Sequence, residues 1–425
     1  MELYERLYRL HRFGIRPGLE RITALLDAVG QPQRDFACVH VTGTNGKGSV
    51  CALVASMLQA QGYRVGLYTS PHLLRFAERI RIDGVPVAEE LVLELLPEVL
   101  ERGEALGATF FEVTTALAFQ VFSALRVQIA VVEVGMGGRY DATNVVEPLV
   151  AVITGIDADH REYLGRTLHE IAWQKVGIVK PGVVLVLGER RPWLRRTLLQ
   201  WAQELGARAV RPPQRGVRLR AEYADLTQCV RLPDGSEVRL PLAGEHQRRN
   251  LALALAVMEE LQPHFPTDWA QRRRGIEAVR RWGGLRARIE LLRATPPVVV
   301  DVAHNAAGIA ALCRTLQRHG YGQTRWTVVF GVMADKDVTQ MLALLQPITA
   351  ELFACAPTTE RALPTPALAS VARRLGMSVR EFANVPTAVQ AALERGEPLL
   401  VVGSFYLLAE ALPLLEPECV GSLPQ

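Results

Sequence analysis

Val39-His-Val-Thr-Gly-Thr-Asn-Gly-Lys-Gly-Ser49 is the stretch on which the reading of this chain turns. A short β-branched run leads into three glycines, then a lysine and a small hydroxyl residue, where an apolar stretch of helical period begins. Gly43, Gly46 and Gly48 allow successive backbone N–H groups to curl around one anion. The start of the following helix adds the positive end of its dipole. Thr44, Asn45, Gly46, Lys47, Gly48 and Ser49 are therefore the candidate nucleotide contacts. Lys47 would reach the β- and γ-phosphates, and Ser49 stands where a hydroxyl meets phosphate or metal. The spacing departs from the strict G-x-x-x-x-G-K-[ST] pattern, because a glycine follows the lysine and the first glycine lies too close. An ordinary Gly-rich turn is the competing reading. The strand–loop–helix context speaks against it.

Outward from this loop the chain alternates β-branched runs with amphipathic stretches. Strands are expected at 36–41, 63–68, 128–134 and 149–154, and helices at 49–61 and 111–125. Such alternation implies a largely parallel sheet covered on both faces. Residues 208–243 break the rhythm, with a hairpin expected over 230–240 around Asp234-Gly235. A helix follows at 250–261. Arg281-Trp-Gly-Gly-Leu285 reads as a linker, with a hinge near Gly283-Gly284. The alternation then restarts, with strands at 298–302, 327–330 and 399–402 and a helix at 306–319. The expected class is α/β. A phosphate-loop domain with a parallel-rich sheet would span 1–284, and a smaller Rossmann-like domain 285–425.

Composition narrows the class. The chain has 425 residues, 49% of them hydrophobic and 22% charged, with a net charge of +4. Two domains with ample core fit these values. The densest basic run, Gln271-Arg-Arg-Arg-Gly275, sits in helix-like sequence and reads as a solvated face, so no nucleic-acid partner is expected. No run spans a bilayer, and the charged start has no apolar signal core. Six cysteines without a C-x-x-C pair suit a reducing compartment, so a cytoplasmic enzyme is expected; a monomer is the accompanying expectation. Lysine occurs only four times, at Lys47, Lys175, Lys180 and Lys336. In a chain this rich in arginine, a retained lysine marks a place where the amine itself can matter.

Several expected strands end in chemistry-bearing residues. Glu133 closes a buried run and precedes a glycine turn, a place where a nucleotide's Mg²⁺ needs an oxygen ligand. Thr154-Gly-Ile-Asp-Ala-Asp-His160 and Thr69-Ser-Pro-His72 end two more strands. His160 is a candidate for a second metal and Ser70 for the shell of the first. A solvent-facing strand-end acid and a structural histidine are the plainer readings. Asp301 also ends a run, followed by His304-Asn305 at a helix start.

Taken in order, these segments resemble the folylpolyglutamate synthase/dihydrofolate synthase branch of the Mur ligase superfamily. Thr42-Gly-Thr-Asn-Gly-Lys-Gly-Ser49 is similar to its phosphate loop, and Thr69-Ser-Pro-His-Leu73 to a substrate-contacting loop. Glu133-Val-Gly-Met-Gly-Gly-Arg-Tyr-Asp-Ala-Thr-Asn144 resembles its acidic strand and following turn. The resemblance implies ATP and two Mg²⁺ ions, with Ser70, Glu133 and His160 as metal ligands. It maps a carbamylated lysine onto Lys175 in Ile171-Ala-Trp-Gln-Lys175, chemistry that arginine cannot perform. It places the pteroate moiety against Gly14, Ile15, Arg16 and Pro17, with Thr109 and Tyr140, Asp141 and Ala142. Asn250 and Asp301 are implied as nucleotide contacts, together with Arg288, for which Arg286 is the rival. His304 is implied for the incoming glutamate and for catalysis, and Ser404 for glutamate. Asp335, Lys336 and Asp337 match the pattern too, or form a helix cap with its first-turn charges. The function so implied is an ATP-dependent ligase joining L-glutamate to dihydropteroate, to folates or to both, by way of an acyl phosphate. A synthase acting on folates alone, a ligase joining amino acids to a cell-wall precursor, and a nucleotide switch without a ligase step are the alternatives.

Overall fold

The computed structural model describes residues 2–14 and 16–417. Ile15 and Cys419 lie outside the described residues. The chain forms two compact units. The first holds the chain up to Val217 with Leu232–Ser236 and Arg249–Leu285, and the second holds Arg218–Arg231, Glu237–Arg248 and Arg286 onward.

The first unit is built on an eight-stranded sheet. Its strands are β1 (Ala37–Thr42), β2 (Val65–Tyr68), β3 (Ile80–Ile82), β4 (Val85–Pro86), β5 (Ile129–Glu133), β6 (Val150–Ile153), β7 (Val184–Leu187) and β8 (Ala209–Arg211). They lie in the order β4-β3-β2-β5-β1-β6-β7-β8. The six strands from β2 to β8 are parallel, and β3 and β4 add an antiparallel edge. Strands β5, β6 and β7 are buried at every residue, which explains their unbroken runs of Ile, Val and Leu. Helix Lys47–Gln61 is buried continuously from Ser49 to Leu58, so its apolar residues run all round it. Because β1 is central, with β5 and β6 as neighbours, the turns after all three open at one carboxyl edge of the sheet. That edge is where parallel sheets hold ligands.

The second unit has a three-stranded antiparallel sheet of β9 (Arg218–Glu222), β10 (Gln228–Arg231) and β11 (Glu237–Leu240). The turn at Asp234-Gly235 joins β10 to β11, as its sequence implies, with Ser236 N donating to Asp234 Oδ1 at 3.1 Å. This sheet groups with the second unit although it precedes residue 284. The larger sheet contains β12 (Glu290–Ala294), β13 (Pro297–Asp301), β14 (Trp326–Phe330), β15 (Thr349–Ala354), β16 (Val379–Glu381) and β17 (Leu399–Val402). Its order is β12-β13-β17-β14-β15-β16, parallel except for β12.

Two local expectations are revised. Helix Glu245–Leu261 starts ahead of residue 250, because its polar first turn has no apolar period yet consists of good helix formers with Glu245 at the dipole's positive end. The helix expected to reach residue 319 is α-helical to Leu316 and then widens into a π-helical stretch that loses helical backbone at His319. Gly320 takes φ 96° there, and the His319 ring turns inward to Tyr223 O at 2.7 Å. Gly283 and Gly284 lie next to the boundary between the units, which falls after Leu285, and pack closely against their own unit. A Cβ on Gly283 would lie 2.4 Å from Ala52 Cβ, and one on Gly284 would lie 2.2 Å from Arg81 Cζ. Both glycines allow close packing inside the first unit.

Candidate functional site

The phosphate loop connects β1 to helix Lys47–Gln61. Gly43 has φ 152° and Gly46 φ 89°, and a Cβ on either would collide, with Thr154 Oγ1 at 1.8 Å and Asn250 Oδ1 at 2.6 Å. These two glycines are thus required both by backbone shape and by near neighbours. The turn after β6 holds the loop from the side: Thr44 N donates to Gly155 O at 2.9 Å, and Thr154 Oγ1 donates to Asn45 O at 2.7 Å. Asp157 N in turn donates to Thr44 Oγ1 at 2.9 Å. Behind it, the buried Glu189 accepts from Ile156 N at 3.0 Å and pairs with Arg191. Thr154, Asp157 and Glu189 were not singled out from sequence. The polar run after a strand was the signal for the first two, and nothing local marked Glu189.

Two lysines meet the loop. Lys47 Nζ donates to Gly43 O at 3.2 Å and to Thr44 O at 3.3 Å, lying folded over the loop's own carbonyls. Lys175, only 3% exposed, donates to Gly43 O at 2.9 Å from helix Leu168–Val176. Burial lowers its pKa to about 7. Lys47 acts in the same direction, and Asp159 and Asp141 oppose. A substantial neutral fraction at ordinary pH is what carbamate formation needs. Arginine, always charged, could not supply it.

Glu133 ends β5 beside β1 in register with Val41, and is 5% exposed. Its carboxylate accepts from Ser70 N at 3.1 Å, so the turn after β2 and the end of β5 are joined. His160 lies in the turn after β6 with φ 48°, its backbone N donating to Asp159 Oδ1 at 2.9 Å. Among the described residues no three His, Cys, Asp or Glu side chains cluster closely enough to hold a metal ion by themselves. In donor chemistry a carboxylate at Glu133 and a hydroxyl at Ser70 suit Mg²⁺, an ion that leaves much of its shell to water and phosphate.

Of the pteroate-side candidates, Arg16 and Thr109 are brought together beside the N-terminal helices. Thr109 caps helix Phe110–Ala124 in a reciprocal capping box with Glu112. Arg21 pairs with Glu112 at 3.1 Å and donates to Arg16 O at 2.7 Å, which ties Arg16 to the Thr109 cap. The His11 ring stacks on Phe110 at 4.0 Å. Arg79 lies over the same Phe110 at 5.2 Å and donates to His72 Nδ1 at 2.8 Å. Tyr140 is half exposed. Asp141 is buried, and its carboxylate accepts from Met136 N and Thr143 N, so it shapes the turn after β5; Ala142 is buried beside it.

In the second unit, Asp301 ends β13 and is buried. Its carboxylate accepts from Ile289 N at 2.7 Å and Ala303 N at 2.8 Å. Burial raises its pKa to about 6, against these amides, Arg288 and His304. Arg286 is engaged by Glu290 at 2.9 Å and by Glu416. Arg288 donates to Arg286 O at 3.2 Å and lies over the Phe405 ring at 5.0 Å, with His304 on the same ring at 6.2 Å. His304 Nδ1 lies 3.0 Å from Val302 O, a contact that favours the proton on that nitrogen. Ser404 caps helix Phe405–Leu415, accepting from Leu407 N at 3.0 Å. Asp337 caps helix Val338–Leu345, the plainer of its two readings.

A phosphate loop with a buried lysine at its back, a strand-end acid beside it, and a separate α/β unit carrying arginine and histidine define an ATP-dependent ligase of the Mur type. The Mur ligase middle domain matches residues 41–258, and the Mur ligase glutamate ligase domain matches 287–405. A dihydrofolate synthase/folylpolyglutamate synthase of Mycobacterium tuberculosis is 38% identical, covering 89% of this chain and 82% of its own length. One from Bacillus subtilis is 34% identical, covering 94% and 95%. The chain belongs to the folylpolyglutamate synthase/dihydrofolate synthase family. Among solved structures, the M. tuberculosis folylpolyglutamate synthase with ADP and AMPPCP superposes with a TM-score of 0.87 at 34% identity, covering all of both chains. The Escherichia coli protein in complex with DHPP and ADP gives 0.85 at 28% identity, covering 98% of each. A bifunctional folylpolyglutamate synthase/dihydrofolate synthase with Mn, AMPPNP and L-glutamate gives 0.82 at 29% identity, covering 97% of this chain and 98% of the other.

Proposed function

We propose that this enzyme joins L-glutamate to dihydropteroate and to folates, forming the amide through an acyl phosphate, as a cytoplasmic monomer. The observation that carries this reading is Lys175, buried against the phosphate loop at 2.9 Å from Gly43 O with its amine held near neutrality. A nucleotide-binding protein without chemistry has no need of such a group. The bifunctional relatives, and the DHPP and L-glutamate bound in neighbouring structures, support the substrates.

In this reading the first unit holds the triphosphate. Backbone N–H groups at Asn45–Ser49 and the Lys47 amine neutralise the γ-phosphate while the acceptor's carboxylate attacks it. Two Mg²⁺ ions, held by Ser70, Glu133 and His160, would supply further charge neutralisation. Lys175, as a carbamate, would offer an oxygen ligand at the loop's back. Asn250 lies against Gly46, within reach of the nucleotide. The pteroate side would rest on Gly14 to Pro17, Thr109 and Tyr140. In the second unit Arg288 and Asp301 serve the nucleotide. His304 and Ser404 orient glutamate, whose neutral amine displaces phosphate. The domain roles divide accordingly, acceptor and phosphates with residues 1–284 and glutamate with 285–425.

The test is phosphate release with ATP, Mg²⁺ and L-glutamate, comparing dihydropteroate with tetrahydrofolate and weighing the products. Glutamate added to both acceptors is expected. Addition to only one reduces the reading to a single activity, and addition to neither overturns it.

A further inference from the structure

Arg288 sits in an unusual stretch of backbone. The residues on either side of it, Ala287 and Ile289, both adopt left-handed conformations, with φ 53° and 49°. For a β-branched side chain such as isoleucine this region is strongly disfavoured, and a conformation of that kind persists only where neighbours impose it. The neighbours are two buried carboxylates. Glu290 accepts from Ala287 N at 2.6 Å, and Asp301 accepts from Ile289 N at 2.7 Å. A third bond, Val302 N to Ala287 O at 3.0 Å, fastens the same kink to the end of β13. The amide before Arg288 and the amide after it are therefore each held by an acid. The guanidinium between them donates to Arg286 O at 3.2 Å and lies over the Phe405 ring at 5.0 Å.

Glu290 does a second thing. It binds Arg286 at 2.9 Å, and Glu416 engages the same guanidinium, so the neighbouring arginine is kept out of competition. One acid thereby fixes the backbone on which Arg288 is mounted and sequesters its nearest rival.

We propose that Glu290 is a positioning residue for the nucleotide: with Asp301 it clamps the left-handed Ala287-Arg288-Ile289 kink so that Arg288 is presented in its binding geometry before nucleotide arrives. This rests on the reading of Arg288 as a nucleotide contact. A pre-formed arginine forfeits less conformational freedom on binding than a mobile one, so the clamp acts on affinity.

A double-mutant cycle on the full chain tests it, with Mg·ADP binding measured by calorimetry and ATP KM and kcat measured in parallel. Arg288→Ala sets the scale. Glu290→Ala is expected to weaken Mg·ADP about tenfold and to raise the ATP KM more than it lowers kcat. Glu290→Gln, which keeps one acceptor oxygen for Ala287 N, should restore much of the affinity. In the Arg288→Ala background, Glu290→Ala should have no further effect. Arg286→Gln, which removes the ion pair but leaves the clamp, should bind Mg·ADP nearly as the wild type does. Additive losses in the double variant, or a loss in Arg286→Gln equal to that in Glu290→Ala, would overturn the proposal. Normal binding by Arg288→Ala would instead remove the nucleotide reading of Arg288 itself, a distinct failure.

Discussion

Lys175 is the residue whose chemistry the structure defines most sharply. Its folded pKa of about 7 lies below the ordinary 10.5, so the folded protein binds fewer protons than the unfolded chain between those values. Stability should therefore increase as pH rises from about 7 toward 10.5, and Lys175→Met should flatten that slope in urea titrations at several pH values. Activity should rise through the same lower limit, as neutral amine becomes available to take up CO₂. Stripping bicarbonate from the assay should lower it, whereas Lys175→Arg should be weakly active and indifferent to bicarbonate. Lys47 makes a different case. Its amine already lies at the loop, 3.2 Å from Gly43 O, and Lys47→Ala should reduce kcat by about a hundredfold or more, read from phosphate release at saturating ATP.

Among the elements, the phosphate loop is the most constrained. Gly46→Ala would put a methyl group 2.6 Å from Asn250 Oδ1 in a left-handed backbone, costing roughly 1–2 kcal/mol from conformation alone. The expected outcome is weakened ATP binding together with a lower unfolding midpoint. The turn from helix Val279–Trp282 into the second unit is constrained by packing instead. Gly283→Ala should destabilise by about 1–3 kcal/mol, because the new methyl meets Ala52 Cβ and Val279 O and neither can retreat. Denaturant titration would detect this as a shift in midpoint. Local sequence foretold β1, its loop and its helix well, since a β-branched run, glycines and an apolar helix all agree. It passed over β15, whose Thr-Ala-Glu-Leu-Phe-Ala sequence has only weak strand preference and is fixed by parallel pairing with β14 and β16.

For the molecule as a whole, nucleotide should act as a stabiliser by linkage. Mg·ATP at about a hundred times its dissociation constant should add about 2.7 kcal/mol to the folded state, and a chelator should reverse most of the gain. Thermal unfolding with and without Mg²⁺ checks this directly. No helix among the described residues is long and apolar enough to cross a membrane. What the sequence by itself determined was the list of parts: a phosphate loop, acids and histidines at strand ends, and two blocks of alternating strand and helix. These follow from local chemistry, because a glycine turn or an apolar period is legible within a dozen residues. Only the tertiary structure showed that Arg286 is engaged by Glu416, which is 130 positions away along the chain. It likewise decided that Lys175 faces Gly43 across 132 positions and loses its water there, which is what gives an ordinary amine its unusual acidity.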